Sequence, residues 1–292
     1  MTFTPAEPTP LSSLPTNVDI RLVAVDMDGT LLGDDKKIPE QLWPMLAQLA
    51  QRGVTFAPSS GRQCWTLIDM FERVGEGLTV IAENGAIVMR DGKEVSSVPM
   101  DHETVAEVVR RVRSAVAGGI NAGLMMCGKA SGYVERFDQP FMDSVLPYYH
   151  RTAVVDDQLD VLARIGSGEL DDDIIKLAVF CFDAVQPIAE VALEPFASTH
   201  QYVVSGYNWA DLQTAGVDKG AAVTALQEYL GVTREQTLAF GDFHNDLGML
   251  AAAKWSFAMA NAHPDVVEAA RYIAPSNNDG GVFTVTRHLL GL

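Results

Sequence analysis

Two aspartates, Asp26 and Asp28, stand two residues apart in Asp26-Met27-Asp28-Gly29-Thr30, directly after the apolar run at 20–25. Carboxylates this close raise one another's proton affinity unless a cation comes between them. Mg2+ suits such a pair, because it prefers hard oxygens and takes one or two carboxylates together with water and phosphate. An aspartate can also attack phosphorus to form an acyl phosphate. A neighbouring acid can protonate the leaving oxygen and then activate water. Gly29 allows a sharp turn after the pair. A solvated Asp-x-Asp-Gly turn also accounts for these residues.

Gly241-Asp242-Phe243-His244-Asn245-Asp246 follows a second apolar run, at 237–240. Its two carboxylates, four residues apart, fall on one side of a beginning helix and can supply further metal ligands. An ordinary N-cap aspartate fits there too. Ser59-Ser60-Gly61-Arg62 offers hydroxyls and backbone N–H groups at a helix start, which suit a phosphate oxygen. Helix capping explains it equally well. Lys219 opens a helix after Gly216-Val217-Asp218 and can neutralise a transferring phosphoryl group, although any surface lysine could stand there. Phosphoryl transfer depends chiefly on positioning and charge neutralisation. A nucleophile, an acid/base, a hydroxyl, a lysine and a further metal carboxylate all occur in this one chain. His244 receives no role in that scheme.

The elements that must position these residues alternate. Residues 20–25, 54–57 and 78–82 are short apolar runs that read as buried parallel strands. Residues 39–52 carry Leu42, Met45, Leu46 and Leu49 at helical spacing, with Gly53 as a stop. Residues 86–89 and 94–98 flank Asp91-Gly92 as a hairpin. Near the end, 219–230 and 246–253 read as helices, and 237–240 and 255–259 as strands. This alternation predicts an open parallel sheet, whose ligands bind beyond the carboxyl ends of its strands. Three polar clusters fall there: Asp26-Met27-Asp28, Ser59-Ser60-Gly61-Arg62 and Glu83-Asn84. The alternation lapses between 90 and 205, where an amphipathic helix at 103–116 and apolar runs at 174–182 and 201–204 predict an inserted α+β domain.

The chain has 292 residues, 48% of them hydrophobic, which suits one large domain or two modest ones. Its formal charge of −17 repels nucleic acid, anionic lipid and, at long range, phosphate esters. A phosphate site must therefore carry its own local positive charge. Cys64, Cys127 and Cys181 are widely spaced, which argues against a disulfide framework or a zinc site and for buried small hydrophobes. Residues 1–17 hold Pro5, Pro8, Pro10 and Pro15 without a basic start or apolar run, so they read as a flexible tail rather than a signal peptide. No apolar stretch approaches the ~18 residues of a membrane span. Cytoplasmic location is the expectation.

From Asp19 to the end the pattern resembles the haloacid dehalogenase superfamily, in particular the Cof-type phosphatases with a large α+β cap. The resemblance implies an α/β, Rossmann-like doubly wound core at 18–89 and 206–292, with the cap at 90–205 selecting substrate and closing over the cleft. It implies Asp26 as nucleophile and Asp28 as general acid/base with a metal-ligating carbonyl. Ser60 and Lys219 become phosphoryl-stabilising residues, and Asp242 a metal ligand with Asp246 behind it. Asn245, Gly61, Arg62 and Asn84 would meet substrate or phosphate. Here Ser60-Gly61-Arg62 replaces the family's more frequent Thr-Gly-Arg and keeps the hydroxyl. Asp28 argues against dehalogenation, because halide leaves without a proton whereas an alkoxide needs one.

The expectation is a Mg2+-dependent phosphatase acting on a small phosphorylated metabolite through an aspartyl phosphate, as a monomer or weak homodimer without nucleic-acid or membrane partners. A phosphotransferase or mutase on the same scaffold, or a non-catalytic phosphometabolite-binding protein, are the alternatives. Lys176, Met125, Met126, Tyr133, Glu135 and Arg136 are the candidate inward residues of the inserted domain. Lys176 lies among apolar residues, so its charge needs an anion or water.

Overall fold

The computed structural model describes residues 4–204 and 206–292. In chain order the first elements are β1 (Leu22–Asp26), α1 (Leu42–Gln51), β2 (Thr55–Ser59), α2 (Cys64–Met70), β3 (Thr79–Ala82), β4 (Ile87–Arg90) and β5 (Lys93–Ser97). There follow α3 (His102–Ala117), β6 (Ala122–Gly128), β7 (Gly132–Val134), α4 (Gln139–Val145), β8 (Thr152–Val154), α5 (Gln158–Gly166), β9 (Ile174–Cys181), α6 (Gln186–Ala192), β10 (His200–Val204) and β11 (Trp209–Thr214). The chain closes with α7 (Lys219–Leu230), β12 (Thr237–Gly241), α8 (Leu247–Ala251), β13 (Trp255–Met259), α9 (Pro264–Ala269), β14 (Tyr272–Ala274) and α10 (Gly281–Leu290). These elements form two compact units. The first contains the chain up to Gly61, Leu67–Ser96 and Asp218–Leu292; the second contains Arg62–Thr66 and Ser97–Val217.

The first unit is built on a sheet of strand order β14-β13-β12-β1-β2-β3-β4-β5. Pairings from β14 to β3 are parallel, and β4 returns antiparallel on β3. Every residue of β1, β3 and β12 is buried. That is why these strands read as unbroken apolar runs rather than alternating ones. The sheet grows outward from β1 in both directions, through β2 and β3 early in the chain and through β12, β13 and β14 late in it. Such a reversal leaves a crevice at the carboxyl ends of the two central strands. The register puts Val25 opposite Phe240 and Asp26 opposite Ser59. Backbone pairing alone therefore gathers the Asp26, Ser59-Ser60 and Gly241-Asp242 segments at one end of the sheet.

The second unit holds a six-stranded sheet of order β10-β11-β9-β6-β7-β8, antiparallel except for the β7–β8 pair. Successive side chains of β6 and β9 go to opposite faces, as a strand requires. Leu124, Met126, Leu177 and Val179 pack with Val105, Val109, Leu162 and Ile188 of the helices α3, α5 and α6. Met125, Cys127, Ala178 and Phe180 pack on the other face with Phe141, Val145 and Tyr149. Burial of each such large apolar side chain contributes about 1.5–3 kcal/mol. All three cysteines are free and buried, as expected.

Several expectations need correction. The β4–β5 hairpin extends the first sheet, and β11 hydrogen-bonds β9 and β10, so the second unit runs from Ser97 to Val217 rather than from 90 to 205. Position 205 itself lies outside the described residues. The helix expected at 246–253 opens as a 3-10 turn, His244–Asp246, before α8. The flexible N-terminal tail is also revised; its first three residues lie outside the described residues. The Ala6 and Thr9 amides donate to Ala260 O and Ile273 O, at 2.8 and 2.9 Å, and the Val18 amide donates to Leu289 O at 2.8 Å. The Ile273 amide returns a bond to Thr9 Oγ1 at 2.9 Å, and Leu14 is buried. Proline removes only its own amide donor. The intervening residues still pair with the edge strand β14 and shield it, as exposed sheet edges require.

Deleting residues 1–17 is expected to lower stability by about 2–3 kcal/mol, from the hydrogen bonds of Ala6, Thr9 and Leu14 at about 0.5–1.5 kcal/mol each and the exposed apolar contact. Urea unfolding measures this; an unchanged midpoint would restore the loose-tail reading.

Candidate active site

Asp26 ends β1, and Lys219 is the first residue of α7, whose N-cap Asp218 accepts the Ala221 amide at 2.7 Å. Lys219 Nζ donates to Asp26 Oδ1 at 2.5 Å and to Asp246 Oδ1 at 2.6 Å. All three side chains are buried. The lysine reaches this position because α7 lies close on α8. A Cβ on Gly220 would stand 2.5 Å from the Gly248 carbonyl, so only glycine fits there. The other oxygen of Asp246 accepts the amides of Asp242 and Phe243, at 2.9 and 3.1 Å, and folds the loop after β12 back on itself.

That loop delivers Asp242. Thr30 Oγ1 donates to Asp242 Oδ1 at 3.2 Å, and the His263 amide donates to Asp242 O at 2.8 Å. Gly29 has φ +86°, and a Cβ there would collide with the Asp242 carboxylate. Asn261 Nδ2 donates to Gly29 O at 2.8 Å and holds the turn. Thr30 and Asn261 were not assigned roles from sequence. Both had a positional signal, since each stands just past the carboxyl end of a strand.

Carboxylate oxygens of Asp26, Asp242 and Asp246 lie within 4.8 Å of one another. Burial, then the negative charges of Asp246 and Asp242, push the Asp26 carboxyl well above its usual range, against the pull of Lys219. Burial and the Asp246 charge push Asp242 up to about 7. Burial disfavours the charge on Lys219, but Asp246 and Asp26 more than offset it and hold the ammonium protonated. One lysine thus faces three acids. A divalent cation would relieve the remaining repulsion, and an all-oxygen donor set suits a hard one.

Asp28 differs from the sequence expectation of two repelling neighbours. Its carboxylate pairs with Lys36 Nζ at 3.2 Å and is 38% exposed. The acids that crowd Asp26 are instead Asp242 and Asp246, from the far end of the chain.

The remaining expected residues of the first unit converge. The Ser60 amide donates to Ile81 O at 3.0 Å, the Asn84 amide donates to Ser60 O at 2.9 Å, and Asn245 Nδ2 donates to Asn84 Oδ1 at 3.2 Å. Gly61 packs beside Asn84, whose amide group would stand 3.1 Å from a Cβ there. Glu83, Asn84 and Gly85 take φ values of 52°, 53° and 100°. A run of left-handed residues is costly for Glu83 and persists because the surroundings impose it.

Arg62 belongs to the second unit, where it donates to Pro147 O at 3.3 Å and lies 4.9 Å over the Tyr148 ring. Lys176 is 1% exposed; Asp211 Oδ1 at 4.0 Å supplies the anion its charge needs, and the Tyr149 ring lies at 5.4 Å. Met126 and Tyr133 pack in the helix-side cluster. Glu135 is bound by Arg113, and Arg136 by Asp138 and Asn121. These four therefore hold the second unit together rather than standing as uncommitted selectors.

A family model for haloacid dehalogenase-like hydrolases matches residues 23–285. The 5-amino-6-(5-phospho-D-ribitylamino)uracil phosphatase YbjI of Escherichia coli is 33% identical, over 94% of this chain and 97% of its own. A Bacillus subtilis enzyme of the same description, YcsE, is 24% identical over 93% and 96%. The crystal structure of a haloacid dehalogenase-like hydrolase from Bacteroides thetaiotaomicron shares the fold, with TM-score 0.79 and 22% identity over 92% of this chain and 99% of that one. The chain belongs to the haloacid dehalogenase-like hydrolases. Within that family it is a phosphatase.

Replacing Lys219 by Met leaves Asp26 and Asp246 buried without their cation, which is expected to cost about 3–5 kcal/mol at neutral pH. Without the lysine the folded-state value of Asp26 rises further. A carboxyl raised in this way stabilises the fold below its unfolded value, and that contribution is lost as pH climbs through the folded one. The deficit of Lys219→Met against wild type should therefore widen as pH rises above the ordinary carboxylate range and past the raised wild-type Asp26 value, measured by denaturant unfolding in metal-free buffer. A pH-independent deficit would contradict the buried charge triad.

Proposed function

We propose that this phosphatase hydrolyses a small phosphomonoester in a Mg2+-dependent reaction that passes through an acyl phosphate on Asp26. The observation that carries this reading is the Asp26 carboxylate at the end of β1, hydrogen-bonded to a buried lysine and within 4.8 Å of Asp242 and Asp246. Asp26, Asp242 and the Asp28 carbonyl would hold the ion, with Asp246 behind them fixing Lys219 and the loop. When bound, Mg2+ supplies positive charge to the phosphoryl oxygens and lets the clustered acids stay ionised.

Asp26 attacks phosphorus as the bond from phosphorus to the ester oxygen breaks. Asp28 gives its proton to that oxygen, and the alcohol departs. Asp28 then takes a proton from water, the resulting hydroxide attacks phosphorus, and the phosphorus–Asp26 bond breaks to free inorganic phosphate. The partial exposure of Asp28 supports this exchange with water, and the reading requires its carboxylate to leave Lys36 during turnover. Lys219 and the Ser60 hydroxyl stabilise the equatorial oxygens. Asn84, Asn245 and Gly61 line the phosphate position. The E. coli and B. subtilis relatives are named for a ribityl phosphate carrying a pyrimidine ring, which supports such esters as the first substrates to try.

Asp26→Asn is expected to lower kcat by at least about 10³-fold with the fold intact, since nucleophile loss removes the covalent route. A panel of sugar, ribityl and nucleoside monophosphates, assayed for phosphate release, tests this. EDTA should abolish turnover and Mg2+ restore it. Turnover in metal-free buffer would remove Mg2+ from the reading, and wild-type rates in Asp26→Asn would remove the nucleophile.

A further inference from the structure

His244 stands in the loop between Asp242 and Asp246, yet the phosphatase reaction gives it no work. Its Nε2 lies 2.9 Å from Asp265 Oδ2. His263 Nδ1 lies 3.5 Å from the same oxygen, and the two imidazole rings sit 4.1 Å apart between centroids. One ligand atom from each of the three residues falls within 4.8 Å of the others. Ligands held at about 2.0–2.2 Å from one ion stand roughly 3–3.5 Å apart, so the two measured separations already match edges of a coordination polyhedron.

We infer that His244, His263 and Asp265 form a second metal site, for a divalent transition ion of the Zn2+ class and separate from the acidic cluster. Two imidazoles with one carboxylate and open positions suit Zn2+, Co2+ or Ni2+, whereas Mg2+ is poorly served by nitrogen. Donor chemistry thus divides the ions between the two sites. The site opens to solvent, with His244 and Asp265 side chains 45% and 63% exposed, so water completes the coordination. The Phe243 ring closes one side, its centroid 4.9 Å from His244 and 5.8 Å from His263. Local bonds oppose the ion, among them the one from the Asp265 amide to His263 Nδ1 at 3.2 Å, which a metal on that nitrogen displaces. That bond is long and caps only a six-residue helix.

The site adjoins the phosphatase centre through the backbone. His263 N–H holds Asp242 O, and His244 lies two residues from Asp242 and from Asp246. An ion bridging His244 and His263 therefore ties the loop that carries those aspartates to the start of α9.

The test is a Zn2+ titration of the untagged, Mg2+-saturated protein, followed by calorimetry, with Co2+ visible absorption as a second signal. One Zn2+ per chain is expected. His244→Ala, His263→Ala and Asp265→Asn should each weaken it by about tenfold or more, since each removes a ligand. All three side chains are at least partly exposed, so the fold should persist, as circular dichroism can check. A parallel titration of Asp242→Asn protein, whose acidic cluster is disabled, should retain this Zn2+. Absence of binding, or binding that survives both histidine variants, overturns the site. Neither result bears on phosphatase activity, so the two readings fail separately.

Discussion

The structure depends on one buried ammonium group held between two carboxylates. Lys219 has no exposed surface, and its Nζ is bonded to Asp26 and Asp246, which come from opposite ends of the chain. Burying an unpaired charge is expensive, whereas breaking a buried pair costs several kcal/mol. The first unit can therefore fold around this lysine only if β1, α7 and the loop after β12 arrive together. Yet Asp242 brings a third acid to the same place, and the single lysine cannot balance all three. The fold thus leaves negative charge unresolved at this acidic cluster, and a divalent cation is the partner that chemistry would use.

Much of the architecture serves that arrangement. Placing β1 between β12 and β2 brings distant segments to one edge of the sheet before any side chain is chosen. Small residues then permit close approaches: Gly220 lets α7 lie on α8, and Gly29 makes room for the Asp242 carboxylate. Asp246 holds both Lys219 and the amides of its own loop, so a change there would disturb the partner of Asp26 and the Asp242 position together. Lys219 alone does not make this site positive, so in an acidic protein a bound cation would have to supply the charge that a phosphate needs.

The core was largely legible in the sequence because its parallel strands are buried on both faces and so are written as plain apolar runs. The polar clusters followed those runs directly, and β13 and α7 have the bounds expected from them. Residue spacing alone did not show which acids crowd Asp26: the excess repulsion on it comes from Asp242 and Asp246, while its near neighbour Asp28 turns to Lys36. The second unit was less legible. Its strands alternate between two apolar clusters, so their periodicity competes with that of short helices, and β11 was missed. The first residues misled for another reason, since proline density signals disorder but does not prevent the intervening amides of Ala6 and Thr9 from bonding to Ala260 and to β14.

The central claim is that Asp26 takes the phosphoryl group, and trapping that bond tests it most directly. Enzyme mixed with substrate and Mg2+, quenched in acid during steady-state turnover and treated with borohydride, should contain homoserine at position 26 by peptide mass spectrometry, because an acyl phosphate is reduced whereas a free carboxylate is not. Modification at another residue, or none under conditions of active phosphate release, would contradict the account.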